Sequence, residues 1–142
     1  MKIGIACDHA AFNEKSLIIK YLDQNEHEVL DYGCDSNSSV DYPDYAHKLS
    51  LQVINNEVDY GILICGSGVG ISIAANRHNG IRAALCTTNF HAEMSRKHND
   101  ANVIAFGARA TDIKSMYRMI DIFLNTKFEG GRHQKRLEKI DI

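Results

Sequence analysis

The chain has 142 residues, 44% of them hydrophobic and 24% charged, which is the balance of one soluble globular domain. A formal net charge of −2 provides no basic surface for nucleic acid or an anionic membrane, so any anionic ligand must be held by a few local cations. No apolar stretch approaches the roughly 20 residues of a membrane span, and the N-terminal segment lacks the longer apolar core of a signal peptide. We therefore expect a cytoplasmic protein that binds neither nucleic acid nor membrane.

Short apolar runs alternate with amphipathic stretches of helical length along the chain. The predicted strands are residues 2–7, 27–32, 58–65, 80–86 and 102–107, and the predicted helices are residues 12–25, 43–56, 71–78, 88–100 and 111–126. Strands that are apolar on both faces and alternate with helices must be covered on each side. The pattern therefore predicts a three-layer α/β/α domain with a parallel sheet of about five strands.

Two further features bear on the organisation of the chain. The polar stretch 34–42 reads as a loop, and the sole proline, Pro43, is placed to open a helix. The cysteines are isolated and form no CxxC pair, which favours reduced thiols over disulfides or zinc ligands, so no metal site is predicted. They are Cys7, Cys34, Cys65 and Cys86.

The tail after the Gly-Gly break at residues 130–131 carries a basic, helix-compatible run with few apolar residues. Arg132 and Arg136, one helical turn apart, could form a fork for a phosphate group or a solvated basic face. Because the tail contributes little to its own core, we expect residues 1–142 to form a single domain whose residues 128–142 dock on a partner subunit.

Polar residues and glycines follow the predicted strands, where ligands bind in a parallel sheet. Asp8 and His9 follow the first strand, residues 65–70 (CGSGVG) follow the third, and Arg109 follows the fifth. Residues 98–100 (HND) lie before the fifth strand. The Asp8–His9 pair could position an imidazole for proton transfer, or Asp8 could cap the next helix.

The glycine-rich segment allows two interpretations. Gly66, Gly68 and Gly70 could let consecutive N–H groups converge on an anion at a helix start, or simply form a tight turn. The segment is not a nucleotide P-loop, because the required lysine is absent. Cys65 could be a buried hydrophobe, or a thiolate that moves a proton next to a carbonyl while the N–H groups stabilise the enolate oxygen.

Six motifs in the same order resemble the RpiB/LacAB family of sugar-phosphate isomerases over essentially the whole chain. They are DHAAF (8–12), DYPDYA (41–46), ILICGSGVGISIAANR (62–77), GIRAALC (80–86), SRKHNDANVIAFGAR (95–109) and FEGGRHQKR (128–136). The resemblance implies a three-layer α/β/α Rossmann-like domain with a five-stranded parallel sheet. It also implies a homodimer or dimer of dimers with shared active sites, and an enzyme without metal or organic cofactor.

The implied activity is that of an aldose–ketose isomerase, which interconverts ribose 5-phosphate and ribulose 5-phosphate in the non-oxidative branch of the pentose phosphate pathway. By the resemblance, Cys65 moves the proton through an enediolate, Ser67 assists it, and the N–H groups of residues 66–70 form the anion hole. His98 is the residue implied to open the sugar ring.

The resemblance also assigns the remaining substrate contacts. Asp8 and Tyr42 lie near the sugar hydroxyls, and Asn99 contacts the substrate. The phosphate is assigned to His9, Arg109, Arg132 and Arg136, some of them from the neighbouring subunit.

Within the family, one branch has glycine in place of the cysteine and a glutamate at the position of Ile71. Because Ile71 cannot transfer protons, the chain resembles the cysteine branch. Two alternatives stay open: an isomerase of a hexose 6-phosphate, such as allose or galactose 6-phosphate, and a non-catalytic module that binds phosphate or a nucleotide.

Overall fold

The computed structural model describes residues 1–142. The strands are β1 (Lys2–Cys7), β2 (Glu28–Asp31), β3 (Tyr60–Cys65), β4 (Ala83–Leu85) and β5 (Val103–Gly107). The helices are α1 (Phe12–Gln24), α2 (Tyr42–Ile54), α3 (Val69–Ala75), α4 (Asn89–Lys97), α5 (Ile113–Asn125) and α6 (Arg132–Leu137), and a 3-10 turn (His9–Ala11) links β1 to α1. Every predicted strand and helix is present, with ends shifted by up to three residues.

The five strands are all parallel and lie in the order β2-β1-β3-β5-β4. The chain builds outward from β1 in one direction to β2 and in the other to β3, so the strand order reverses between β1 and β3. Ligands of open α/β sheets bind beyond the carboxyl ends of the strands at such a point. Asp8 and Gly66, which directly follow β1 and β3, therefore lie where a ligand is expected.

Helices cover both faces of the sheet, which confirms the predicted three-layer α/β/α arrangement. On one face α1, α4 and α5 pack on alternate strand residues such as Ile3, Ile5 and Phe106. On the other face α2 and α3 cover Leu63 and Ala105. Burying a side chain of the size of isoleucine contributes about 1.5–3 kcal/mol relative to leaving it exposed, and this drives both layers onto the sheet.

A proline or a capping side chain marks the start of three of the helices. Pro43 occupies the first turn of α2, as predicted. Thr88 Oγ1 accepts the N–H of His91 at 3.2 Å at the start of α4, and Asp112 Oδ1 accepts the N–H of Ser115 at 3.0 Å at the start of α5. Each such cap contributes about 1 kcal/mol. No helix combines the length and apolar character that crossing a membrane requires.

Candidate active site

The residues that follow β1, β3 and β5 enclose a cleft of about 380 Å³. Its lining residues are Asp8, Tyr42, Cys65, Gly66, Ser67, Gly70, Arg109 and Ala110. All of them except Ala110 were predicted from the sequence as catalytic or substrate-binding residues. The fold thus brings together, at the reversal of the strand order, one carboxylate, one thiol, a glycine-rich turn and one guanidinium.

Cys65 ends β3 with its side chain almost fully buried. Its Sγ accepts a hydrogen bond from the backbone N–H of Gly68 at 3.1 Å. A donor directed at the sulfur stabilises negative charge on it. The sulfurs of Cys34 and Cys86 instead point toward carbonyl oxygens, and that of Cys7 contacts the sulfur of Cys34 at 3.9 Å. This contact distinguishes Cys65 from an ordinary buried thiol.

Two glycines of the turn are required by its geometry. Gly68 has a φ of +79°, and a Cβ there would lie 2.5 Å from Leu85 Cδ1 and 2.7 Å from the carbonyl carbon of Phe106. At Gly70 a Cβ would lie 2.6 Å from the ring of Tyr42, at Cζ. The missing Cβ atoms therefore let the turn pack against β5 and let Tyr42 approach the cleft.

The turn leaves several N–H groups free of partners within the chain. The N–H groups of Gly68 and Val69 are used, by Cys65 Sγ and by Ser67 Oγ at 3.2 Å respectively. Those of Gly66, Ser67 and Gly70 have no acceptor in the chain. Preorganised backbone donors beside a thiol are suited to an oxygen that gains negative charge during a reaction. The anion-binding interpretation of the turn is thereby favoured over a mere tight turn.

Asp8 and His9 connect the end of β1 to the loop before α2. Asp8 is 7% exposed, and its Oδ1 accepts the N–H of Ala10 at 3.0 Å, so it caps the 3-10 turn while it lines the cleft. His9 Nδ1 accepts the N–H of Val40 at 3.1 Å. With Nδ1 as the acceptor, the neutral ring carries its proton on Nε2, which can donate to an oxygen anion. His9 itself does not line the cleft.

A buried lysine of α1 also fixes the loop before α2. Lys15 of α1 is 2% exposed and contacts both oxygens of Asp31 at 2.6 and 2.7 Å. It also donates to the carbonyl oxygen of Cys34 at 2.7 Å. A charge this deeply buried is stable only when it is paired and hydrogen-bonded, so Lys15 is committed to holding the loop and not to chemistry.

Arg109 supplies a cation at the cleft. Its N–H donates to the carbonyl oxygen of Gly66 at 3.0 Å, and its guanidinium lies beside Gly66, where a Cβ would be 3.0 Å from Nη1. No carboxylate lies within 4.0 Å of the guanidinium. The charge is therefore free to bind an anionic substrate.

His98 and Cys65 lie at opposite ends of the strands, His98 at the amino ends and Cys65 at the carboxyl ends. His98 follows α4 and precedes β5, whereas Cys65 pairs with Gly107 at the far end of β5. From Val103 to Gly107 a strand rises about 13 Å. His98 stacks instead on His133 of α6, with ring centroids 4.2 Å apart and an interplanar angle of 14°.

Three other predicted residues, Asn99, Arg132 and Arg136, lie near His98. Asn99 lines a second cavity with Ile140 and Asp141 of the tail. Arg132 and Arg136 flank His133 on α6, are exposed, and form no ion pair. Within one chain, therefore, the predicted residues form two groups, one around Cys65 and one around His98.

His133 and Glu129 were not assigned from the sequence, yet both contact this second group. His133 Nε2 lies 3.6 Å from Glu129 Oε2, and the four-residue spacing was the signal available in the sequence. Burial is the largest cause that lowers the pKa of His133 below its ordinary value. The positive charges of His98, Arg132 and Arg136 lower this pKa further, and the negative charge of Glu129 opposes them.

The remaining cysteines belong to the core, as the sequence predicted. Cys7, Cys34 and Cys86 are at most 1% exposed. Burial raises the pKa of Cys7 and of Cys86 to about 12, so both thiols stay protonated at neutral pH. All four cysteines are free thiols.

A larger cavity of about 590 Å³ lies at the amino-terminal edge of the strands. Three of its charged residues are paired with one another: Asp100 contacts Arg96 at 2.7 Å and Arg82 at 3.3 Å. Arg96 also donates to Tyr60 Oη at 3.0 Å and to the carbonyl oxygen of Ala101 at 2.7 Å. These side chains brace the amino-terminal end of β5.

Comparisons with known proteins agree with this geometry. The family model described as Ribose/Galactose Isomerase matches residues 3–140. Ribose-5-phosphate isomerase B of Escherichia coli (strain K12) is 48% identical over 139 residues, which cover 98% of this chain and 93% of that protein. A putative sugar phosphate isomerase of Bacillus subtilis (strain 168) is 46% identical over 99% of this chain and 95% of its own length.

Solved structures show the same fold. Ribose-5-phosphate isomerase B of Clostridium thermocellum superposes with a TM-score of 0.97 at 48% identity, covering 99% of this chain and 95% of that one. A ribose 5-phosphate isomerase of Thermotoga maritima has the same TM-score at 49% identity, covering 99% and 97%. The predicted α/β fold, family and isomerase class are confirmed. The chain belongs to the ribose/galactose isomerase family, and its similarity is to members named ribose-5-phosphate isomerase B.

Proposed function

We propose that the chain is an aldose–ketose isomerase that interconverts D-ribose 5-phosphate and D-ribulose 5-phosphate in the non-oxidative branch of the pentose phosphate pathway, with Cys65 as the base. The observation that carries the proposal is the position of the Cys65 sulfur beside a turn whose N–H groups are free, those of Gly66, Ser67 and Gly70. A base next to an anion hole is what proton transfer alpha to a carbonyl requires.

In the proposed reaction, the Cys65 thiolate removes the proton from C2 of the open-chain aldose. The electron pair of that bond forms the C1–C2 double bond, and the carbonyl oxygen on C1 takes the negative charge of an enediolate, which the free N–H groups of the turn stabilise. Return of the proton to C1, with transfer of the O2 proton to O1, gives the ketose. Ser67 is proposed to assist this exchange, and its exposed position in the lining of the cleft supports the proposal.

We further propose that each site is completed by a second copy of the chain, as a homodimer or dimer of dimers. His98, for ring opening, and Asn99, Arg132 and Arg136, for substrate and phosphate, would then come from the partner. The separation of the two groups along β5 supports this, because one chain cannot bring His98 to its own Cys65. Apolar side chains left exposed on α3, Val69 at 47% and Ile73 at 60%, provide surface for such a contact beside the cleft.

The phosphate group is proposed to lie between His9, Arg109 and the partner's Arg132 and Arg136. Arg109, Arg132 and Arg136 have no carboxylate partner, so none of them must give up an ion pair to bind a dianion. Planar guanidinium groups also match the oxygens of a phosphate. A chain with a net charge of −2 can thus hold an anionic sugar through local cations.

The proposed base is tested with a coupled assay on Cys65→Ala, with Cys86→Ala as the matched control. Loss of a positioned general base should lower kcat by at least about 10²-fold, while ribose 5-phosphate still binds. Cys86 is fully buried away from the cleft, so its variant should keep normal turnover. Near-normal turnover by Cys65→Ala would refute the assigned base.

The shared site is tested by mixing two inactive variants, Cys65→Ala and His98→Gln. A mixed dimer contains one site with both functional side chains, so random assembly should recover about a quarter of the wild-type activity. Absence of recovery, with dimers confirmed by sedimentation, would mean that the two residues act within one chain.

A second candidate substrate is a hexose 6-phosphate, because the matching family description includes galactose as well as ribose. The two are separated by kcat/KM for each sugar phosphate in the same assay, and a higher value for the hexose phosphate would replace the pentose in this proposal.

A cytoplasmic location is also part of the proposal, because four free thiols suit a reducing compartment. Cell fractionation tests this location.

A further inference from the structure

His98, Glu129 and His133 form a compact cluster of two imidazoles and one carboxylate at the amino-terminal edge of β5. We infer that this cluster is a binding site for a divalent transition-metal ion, with Zn²⁺ as the best match, and that the bound ion inhibits the chain. The inhibitory part rests on the proposed function of His98, whereas metal binding itself does not.

The spacing of the ligand atoms is close to what a metal ion needs. One ligand atom of each residue lies within 4.8 Å of those of the other two, and His133 Nε2 lies 3.6 Å from Glu129 Oε2. Around tetrahedral Zn²⁺ with bonds of about 2.0–2.1 Å, neighbouring ligand atoms are about 3.4 Å apart. His133 and Glu129 therefore stand almost at the required spacing. His98 must approach by at most about 1.4 Å, and its ring must also turn out of the stack on His133, because an ion binds imidazole in the plane of the ring.

The backbone holds the three residues together. The N–H of Glu129 donates to the carbonyl oxygen of Lys97 at 3.1 Å, directly before His98. Stacking then sets the His98 ring beside the His133 ring, whose side chain is only 6% exposed. Glu129 is half-exposed and is followed by Gly130 and Gly131, both with positive φ, so its side chain can adjust to an ion.

The donor set is uncommitted and chemically suited to zinc. Neither imidazole forms a hydrogen bond within the chain, and Glu129 has no contact closer than 3.6 Å to a charged partner. Two histidines and one glutamate form a known zinc ligand set that leaves a fourth position for water or an anion. Arg132 and Arg136 stand on the same helix, so an anion in the fourth position would be favoured, and the affinity should fall below that of a four-ligand structural site.

Inhibition follows from which atoms the metal occupies. An ion bound to a His98 ring nitrogen occupies the lone pair of the neutral imidazole, so the ring can no longer accept a proton during ring opening. It also fixes His133 and α6, and with them Arg132 and Arg136. A chelator should therefore restore activity, because no covalent bond is made or broken.

The test is a titration of the metal-free full-length chain with Co²⁺, followed by visible absorption, with Zn²⁺ as the competitor. We expect one Co²⁺ per chain with the absorption of a tetrahedral nitrogen–oxygen site. Glu129→Gln should weaken binding by about 10-fold or more, as should His133→Gln once circular dichroism shows that it is folded. Glu138→Gln removes a carboxylate from the same tail outside the cluster and should bind Co²⁺ like the wild type.

Zinc also binds thiols, so Cys65→Ser is titrated in parallel. If Co²⁺ affinity drops in Cys65→Ser and is unchanged in Glu129→Gln, the metal binds the thiol and the inference is wrong. Absence of stoichiometric binding at millimolar Co²⁺ would overturn it as well.

The inhibition is measured separately, as isomerase activity at increasing Zn²⁺ with and without chelator. Wild type and Glu138→Gln should lose activity over the same Zn²⁺ range, and Glu129→Gln should require about 10-fold more. Inhibition that is equal in all three variants would refute the inhibitory role. If no isomerase activity is found at all, the proposed function fails, and the Co²⁺ titration still decides the metal site.

Discussion

Substituting Gly68 by alanine should damage both folding and chemistry, and Gly80 offers a matched control. Gly68 has a φ of +79° and Gly80 a φ of +85°, so an alanine at either position enters the left-handed region. That conformation costs a residue with a Cβ about 1–2 kcal/mol. A Cβ at Gly80 meets nothing within 4 Å, so this cost should be the whole effect there.

At Gly68 the added Cβ also collides with its surroundings. It would lie 2.5 Å from Leu85 Cδ1, and 2.7 and 2.9 Å from backbone atoms of Phe106 and Gly107 in β5. Overpacking of this kind adds about 1–3 kcal/mol, so Gly68→Ala should lower the free energy of unfolding by about 2–5 kcal/mol in total. Because β5 is a central strand of the sheet, the turn has to move, and the N–H of Gly68 leaves Cys65 Sγ.

The assay is urea unfolding of both variants at one protein concentration, combined with kcat/KM for ribose 5-phosphate. Loss of one preorganised donor at an anionic centre typically lowers kcat by about 10²–10³-fold, and Gly68→Ala should fall in that range while Gly80→Ala stays near the wild-type value. If the two variants lose equal stability, the collision with β5 is wrong. If Gly68→Ala keeps full activity, the hydrogen bond to Cys65 has no catalytic role.

Two further predictions concern groups away from the cleft. Arg96→Met should lower the free energy of unfolding by about 1–3 kcal/mol in urea titrations, because the guanidinium is only 7% exposed and its removal leaves the buried carbonyl oxygen of Ala101 without its donor, whereas Asp100 keeps Arg82; a loss below about 1 kcal/mol would show that water replaces the guanidinium. His78, whose Nε2 lies 2.8 Å from His47 Nδ1, has its pKa lowered by burial and by that neighbour. The unfolded chain therefore binds more protons below about pH 6.5, and stability should decline as the pH falls from there through the lowered pKa. His78→Gln should flatten this part of the stability–pH curve, and an unchanged slope would contradict the assignment.

Periodicity was enough to predict the layers of the fold. The apolar runs that became β1, β3 and β5 are buried on both faces, and such runs have few stable environments other than a parallel sheet covered by helices. Among the strands, β4 differs most from its predicted bounds, because the apolar run 80–86 predicts a strand of seven residues and only Ala83–Leu85 pairs with β5. Apolar character extends beyond the hydrogen-bonded ladder there.

The cleft residues were predictable for a topological reason. Asp8, Cys65 and Arg109 each directly follow a strand, and the carboxyl ends of parallel strands share one edge, so no side-chain detail was needed to group them. The motif match then selected Cys65 from four cysteines that composition alone could not rank. The hydrogen bond from Gly68 to its sulfur supplies the physical difference.

The sequence by itself determined the sheet, its two helical layers and the set of chemical groups, since these depend on local periodicity and on the order of strands. Only the tertiary structure decided which groups meet. His98 precedes β5 and Cys65 ends β3, and the length of one strand keeps them apart within a chain. The pairing of His98 with His133 and Glu129 likewise depends on how the tail folds back on α4, a long-range contact that no local pattern specifies.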